Sequence, residues 1–288
     1  MRTILPLLAI ALLFTAQPAF GQADYEESTD EIHTGLTLKS GKFKPFLELA
    51  YGTSTPRYEG LGQSFASLGM LDIKVGYSSD DILKHDLISF DQQFGFVSFL
   101  NSDLSTSGGA GADEIGSEMT RFGFGNRRGY GYGGSGMNIE MYNQDAVDWT
   151  QISPVDYDAM SEDAQAVFDR YGSTYRFGQL TEAGLRVHVS QSFSLTAGAE
   201  AAMIMPRTVF WPWLGSIAIY STVQGALENF SGNIIEASPK VGPVIAFLLK
   251  TGVSAGYYYL LREDMNWPFG QEVPVTVGSF KIGANITF

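Results

Sequence analysis

No cysteine occurs among the 288 residues, which removes disulfides, thiolate-bound metals and cysteine nucleophiles in one step. Positive charge is also scarce: 18 Lys and Arg face 31 Asp and Glu, for a net charge of −13. A chain this acidic lacks the basic footprint that nucleic acid demands, so nucleic acid is not expected among its partners. Histidine is nearly absent, and His33 and His85 stand singly in polar surroundings that mark no metal site. Beyond the N-terminus no stretch reads as long and apolar enough for a transmembrane helix, which takes about 20 residues. The glycine-rich run from Phe122 to Tyr132 is followed by no Lys-Ser/Thr and sits in no strand-to-helix context, so it is not a phosphate loop.

What is present begins with an export signal. Arg2 precedes an apolar run from Ile4 to Phe14, then Gln17-Pro18 and the small-x-small site Ala19-Phe20-Gly21. This pattern predicts cleavage after Gly21, with residues 1–21 as signal peptide and 22–42 as an acidic, polar periplasmic lead-in. The h-region is too short to serve comfortably as a membrane anchor.

From Phe43 onward, two-residue alternation dominates, the signature of strands with one apolar and one polar face. Pro45, Leu47, Leu49 and Tyr51 oppose Lys44, Glu48 and Ala50, and Leu71, Ile73, Val75 and Tyr77 oppose Asp72, Lys74 and Gly76. Ile88, Phe90, Phe94 and Phe96 alternate with Ser89, Asp91, Gln93 and Gly95. Further strands are read at 182–190, 193–199, 243–249, 253–261 and 273–288. Glycine and serine turns near 78–86, 190–193 and 250–252 are short, whereas connections at 53–68, 100–178, 206–239 and 262–272 are long. Within 101–178, twelve acidic residues outnumber five basic ones, which reads as a solvated loop whose acidic pairs lack calcium-loop spacing. A hairpin around 122–132 would raise the strand count from eight to ten or more. Ser161-Glu162-Asp163 opens a helix whose face is Ala164, Val167, Phe168 and Tyr171, stopped at Gly172. A second helix is expected after Pro212 through Leu214, Ile217, Val223, Leu227 and Phe230, apolar on most sides. Tyr257, Tyr258, Tyr259, Trp267, Phe269, Trp211 and Trp213 are assigned to interfacial aromatic belts.

The chain ends Phe280-Lys281-Ile282-Gly283-Ala284-Asn285-Ile286-Thr287-Phe288, one further alternating strand closing on an aromatic residue. This ending resembles the C-terminal assembly signal of Gram-negative outer-membrane β-barrel proteins, carried here by Phe280, Ile282, Ile286 and Phe288. The resemblance implies an all-β, antiparallel transmembrane barrel over 43–288, of about eight strands with ten to twelve possible, and one or two short helices in long external loops. It also implies outer-membrane lipid as the surroundings, with the barrel-assembly machinery and periplasmic chaperones as transient partners.

By parity the lumen would be lined by Lys44, Glu48, Asp72, Lys74, Asp91, Glu182, Arg186, His188, Glu200 and Lys281. Their charges nearly cancel, and an eight-stranded barrel is just filled by its side chains, so an ion-paired interior without a pore is expected. His188-Val189-Ser190 resembles the His-x-Ser pair of some outer-membrane lipid A deacylases. The available acid, Glu200, lies about 15 Å away along the hairpin at about 3.3 Å per residue and is better placed to pair with Arg186. No enzyme activity, cofactor, metal or catalytic residue is therefore assigned. Three functions stay open: an interaction or structural barrel acting through its loops, a pore for small or hydrophobic solutes, and a lipid-modifying enzyme. A soluble lipocalin-like barrel is the structural rival, disfavoured by the scarcity of charge on the outward faces.

Overall fold

The computed structural model describes residues 43–83, 86–105, 110–111, 113–133, 138–172, 174–270 and 272–288. The expected signal peptide and lead-in, His33 and His85 lie outside the described residues. Eight long strands make the wall: β1 Lys44–Arg57, β2 Leu68–Ile82, β3 Leu87–Asn101, β4 Ser117–Tyr132, β5 Asn138–Pro154, β6 Arg176–His188, β7 Phe193–Ile204 and β8 Val275–Thr287. Each pairs antiparallel with its chain neighbours, and β1 closes on β8 from Phe46 opposite Thr287 to Arg57 opposite Thr276. A closed meander leaves no free edge, the condition a sheet must meet to cross lipid. Strands of 12 to 17 residues exceed the roughly 9 to 11 that a tilted strand needs to cross a bilayer.

The count of eight agrees with the sequence reading, but two of the eight strands are not where the alternation placed them. Residues 243–249 and 253–261 are not a hairpin; they form one helix, α3, Gly242–Glu263. Pro243 fits the first helical turn, where its missing N–H costs nothing, and Ala246, Lys250, Ser254 and Leu261 recur at helical spacing on the buried face. This helix is also long and apolar enough to cross a membrane, contrary to the expectation of none. The missing pair comes from 117–154, read as mostly loop. Phe122–Tyr132 belongs to a single strand, β4, whose partner β5 runs from Asn138 to Pro154.

The barrel ends are unlike. The short connections from Ile82 to Leu87, from Tyr132 to Asn138 and from His188 to Phe193 leave the wall at one end, with the start of β1 and the end of β8. The longer connections, from Arg57 to Leu68, from Asn101 to Ser117, from Pro154 to Arg176 and from Ile204 to Val275, leave it at the other. The third of these holds helix α1, Glu162–Tyr171, where the Ser161 hydroxyl accepts from the Ala164 amide and the buried face is Ala164, Val167, Phe168 and Tyr171 as expected. The last holds α2, Phe210–Ala237, and α3, which pack as an antiparallel pair. The sequence reading had α2 as a short helix; it runs for 28 residues. Two-residue strands at Ser64–Phe65 and Glu114–Ile115 pair across the loops.

Candidate functional site

Alternation turns every second wall residue inward, and in the middle of the barrel those residues are charged. Five cations (Lys74, Arg121, Arg127, Arg186 and Lys281) meet six carboxylates (Glu48, Asp72, Glu140, Asp148, Glu182 and Glu200), all buried. Arg127 binds Glu48 through both terminal nitrogens, at 2.7 and 2.8 Å, donates to Gln144 and Gln92 at 3.1 and 3.2 Å, and lies 4.3 Å over the Tyr142 ring. A planar fork answered on all sides is the geometry in which a buried guanidinium is tolerated. Lys281 Nζ lies 3.0 Å from Asp72, 2.9 Å from Glu182 and 2.6 Å from Glu200. It thereby reconciles Glu182 and Glu200, like charges in register across β6 and β7. Lys74 bridges Glu48 and Glu182 at 3.2 and 3.4 Å, and Tyr142 donates to Glu182 at 2.6 Å. Where these long side chains cross, the wall is glycine. A Cβ on Gly198 would meet Glu182 Oε1 at 2.5 Å and the Tyr142 hydroxyl at 2.8 Å.

Among the described residues this arrangement leaves no water column: Arg127 is 0% exposed, Arg186 1% and Arg121 2%, so water does not reach the three guanidinium side chains inside. Nearer the short-turn end, Arg186 pairs with Glu140, lies 3.2 Å from Asp80 and sits 4.1 Å over Phe90, and His188 Nε2 is 3.1 Å from Glu140.

Of the lumen residues expected from sequence, Glu48, Asp72, Lys74, Glu182, Arg186, His188, Glu200 and Lys281 point inward. Lys44 shares their parity but is exposed at the short-turn end, outside the ionic cluster. Asp91 is a correction. Strand β3 faces the other way, placing Phe90, Phe94 and Phe96 inside, where Lys74 lies 5.5 Å over Phe94 and Arg121 5.7 Å over Phe96. Asp91 therefore faces out and holds Arg128 at 2.7 Å. Glu200 does not pair with Arg186; it holds Arg121 at 2.7 Å. With Ser190 exposed in the turn and Glu200 engaged elsewhere, no His–Ser–acid triad forms. Arg121, Arg127, Glu140 and Asp148 were missed because they lie in the segment read as loop. The shared even parity of Glu140, Gln144 and Asp148, four residues apart on one face, was a usable signal.

Above the ions, at the long-loop end, an apolar cluster seals the mouth. Leu68, Met70, Leu100, Ile152, Ile204, Val275 and Val277 from the wall meet Phe65 and the buried face of α1. Phe65 and Phe168 rings lie 6.0 Å apart, Tyr58 meets Tyr171 edge-on at 6.3 Å, and the Tyr171 hydroxyl donates to the Val273 carbonyl at 3.4 Å. Burial, then the neighbouring Tyr58, pushes the Tyr171 phenol up, so it remains a donor well into the alkaline range. Clefts lie outside this seal: one of about 560 Å³ is bordered by Gln63, Ser64, Asp113, Ser161 and Asp163. Among the described residues, no cluster of three His, Asp or Glu side chains is disposed to hold a metal ion.

Two of the residues assigned to aromatic belts are engaged elsewhere. Trp213 is buried edge-on against Phe177 at 5.1 Å, and Tyr257, on helix α3, stacks on Tyr220 at 4.4 Å. Outward aromatics on the wall form two levels instead: Phe99, Phe122 and Trp149 towards the long loops, and Tyr77, Tyr132, Phe193 and Phe288 towards the short turns.

No family model matches the chain, and no curated protein does. Among solved structures it is similar to Neisserial surface protein A, at 9% identity over 85% of this chain and 97% of that one, with a TM-score of 0.40. It is also similar to Ail, the attachment invasion locus protein of Yersinia pestis, at 10% identity over 85% and 98% of the two chains, with a TM-score of 0.34. Likeness this remote extends no further than a barrel architecture, which the strand pairing already establishes.

Proposed function

We propose that this protein is an integral outer-membrane barrel that acts through its external loops and conducts nothing through its lumen. One observation carries the reading: the interior is closed twice, by a dry ion-paired layer and by the apolar seal that α1 completes. The placement in lipid is supported by the outward faces of β1, β2, β7 and β8, where Leu49, Leu71, Val75, Leu195, Phe280 and Ile282 are 41–60% exposed. An apolar band between two aromatic levels is what a barrel in a bilayer presents. Export by the signal at 1–21, and delivery to the assembly machinery by Phe280, Ile282, Ile286 and Phe288, belong to the same reading. In it, 58–67, 102–116 and 155–175 offer the surface for an external partner.

The test is conductance of the purified mature protein in a planar bilayer, with heat-modifiable gel mobility as the check on folding. A folded, silent barrel is expected. Discrete reproducible openings would overturn the closed-lumen reading and point to a pore.

A further inference from the structure

Helices α2 and α3 lie against the outside of the wall, not over its mouth. Tyr220 of α2 donates to Asp145 on the outer face of β5 at 2.9 Å, and Asn143 on the same face donates to Thr251 of α3 at 2.8 Å. Lower down, Tyr130 of β4 donates to Glu228 at 2.9 Å, and Glu228 also holds Lys250 of α3. At the short-turn end, Ile235 and Ala246 pack on Leu83 and Leu87, and Tyr132 donates to the Lys240 carbonyl at 2.8 Å. The pair thus runs from the long-loop end to the short-turn end and back. At about 1.5 Å per residue, 28 and 22 residues make helices of about 42 and 33 Å, enough for a hydrocarbon core about 30 Å thick.

Their amphipathicity is the reverse of a water-soluble pair. Ser216, Tyr220, Gln224, Glu228 and Ser231, at spacings of three and four, form the inward stripe of α2; Lys250 and Ser254 do the same on α3. Tyr220 and Gln224 both reach Ser254, at 2.8 and 3.0 Å, so polar groups are spent within the seam. Facing away from the barrel are Ile219, Val223, Phe230, Val244, Ile245, Leu248, Tyr259 and Leu260, 37–60% exposed. A surface helix in water turns its apolar stripe inward and its charges out.

The wall shows the matching pattern. Its outward polar residues at mid-wall lie on the strands beside the hairpin (Asn126, Arg128, Asn143, Asp145, Gln179 and Thr181), whereas at the same level β1, β2, β7 and β8 turn out only apolar residues and glycine, among them Leu49, Ile73, Ala197 and Phe280. Polar side chains in a membrane turn to protein and pair, because unpaired they are expensive in hydrocarbon. The exposed hairpin face also continues the apolar band of the bare wall.

We infer that the α2–α3 hairpin is embedded in the bilayer beside the barrel, with its polar stripe on the wall and its exposed face covered by lipid acyl chains. The inference rests on the membrane reading of the barrel but can fail independently of it. The cysteine-free chain allows single-cysteine variants in proteoliposomes: Leu248→Cys and Val223→Cys on the hairpin, Leu71→Cys on the bare wall and Glu59→Cys in a loop. A membrane-impermeant maleimide should label Glu59→Cys at least tenfold faster than the other three, and an environment-sensitive fluorophore at 248 should be quenched by phospholipid brominated in its acyl chains. Fast labelling at 248 and 223 with protection at 71 would overturn the embedded hairpin and leave the barrel in the membrane. Fast labelling at 71 as well would sink both. Protection at 248 without quenching would put protein, such as a second copy of the chain, over this face and overturn the lipid assignment.

Discussion

Replacing Arg127 by Met probes the closed lumen most directly. The substitution removes both bonds to Glu48 and those to Gln92 and Gln144, leaving Glu48 with Lys74 at 3.2 Å and Asn285 at 3.3 Å. Breaking one partner of a buried ion pair costs about 3–5 kcal/mol, because the remaining charge stays dehydrated. Equilibrium urea unfolding in lipid vesicles, followed by tryptophan fluorescence, reads that loss. The double variant Arg127→Met with Glu48→Met removes both charges and should recover most of it, since a buried pair exchanged for apolar residues of similar volume is often neutral. The reasoning fails if the single variant loses less than about 1 kcal/mol, the worth of a solvated pair. Glu48 would then have found water, and the interior would be wet.

Other outcomes follow from the same geometry. Phe168→Ala removes a ring 4% exposed from the apolar seal and should cost the seal about 3–5 kcal/mol, read as faster protease cleavage within 155–175 while the barrel keeps its heat-modifiable mobility. Tyr220→Phe leaves Asp145 short of a donor under the hairpin and should cost about 1–3 kcal/mol, with hydrogen exchange rising in α2 and α3 before the wall. Far-UV circular dichroism should show the helical contribution of α1, α2 and α3; a spectrum of strand alone would restore 243–261 to the sheet. Deleting Phe288 should slow insertion by the barrel-assembly machinery while leaving spontaneous folding in detergent within about twofold, compared by the gel shift in both settings.

Alternation made the barrel legible, and the last strand and α1 could be read residue by residue. Parity failed at β3 for a physical reason. A period of two says that two faces differ, not which is inside. Here the inside uses Phe90, Phe94 and Phe96 to carry cations by their ring faces, while the outside is allowed Asp91 beside Arg128 near the hairpin. Residues 243–261 failed for a related reason. Val253, Ala255, Tyr257, Tyr259 and Leu261 alternate by accident within a helix apolar on most sides, where Lys250 and Ser254 alone are too few to betray the true period. The polar stripe does exist on α2, at Ser216, Tyr220, Gln224 and Glu228, but it reads as an ordinary solvent face until the wall behind it is seen. In the lumen, sequence parity found most of the ions and none of their pairings, which depend on register between strands far apart in the chain.

The pairing of β1 with β8 has a temporal consequence. Every other seam of the wall joins neighbours in the chain, several through turns as short as 189–192, but this one waits for the final strand. About 70 residues, including α2 and α3, separate β7 from β8. Ordering a connection of that length in place of a four-residue turn costs about 2.5 kcal/mol more in chain entropy. Without the last strand the first would keep one edge unpaired, and the interior would lack Lys281, the cation shared by Asp72, Glu182 and Glu200, leaving Lys74 to hold the first two and Arg121 the third.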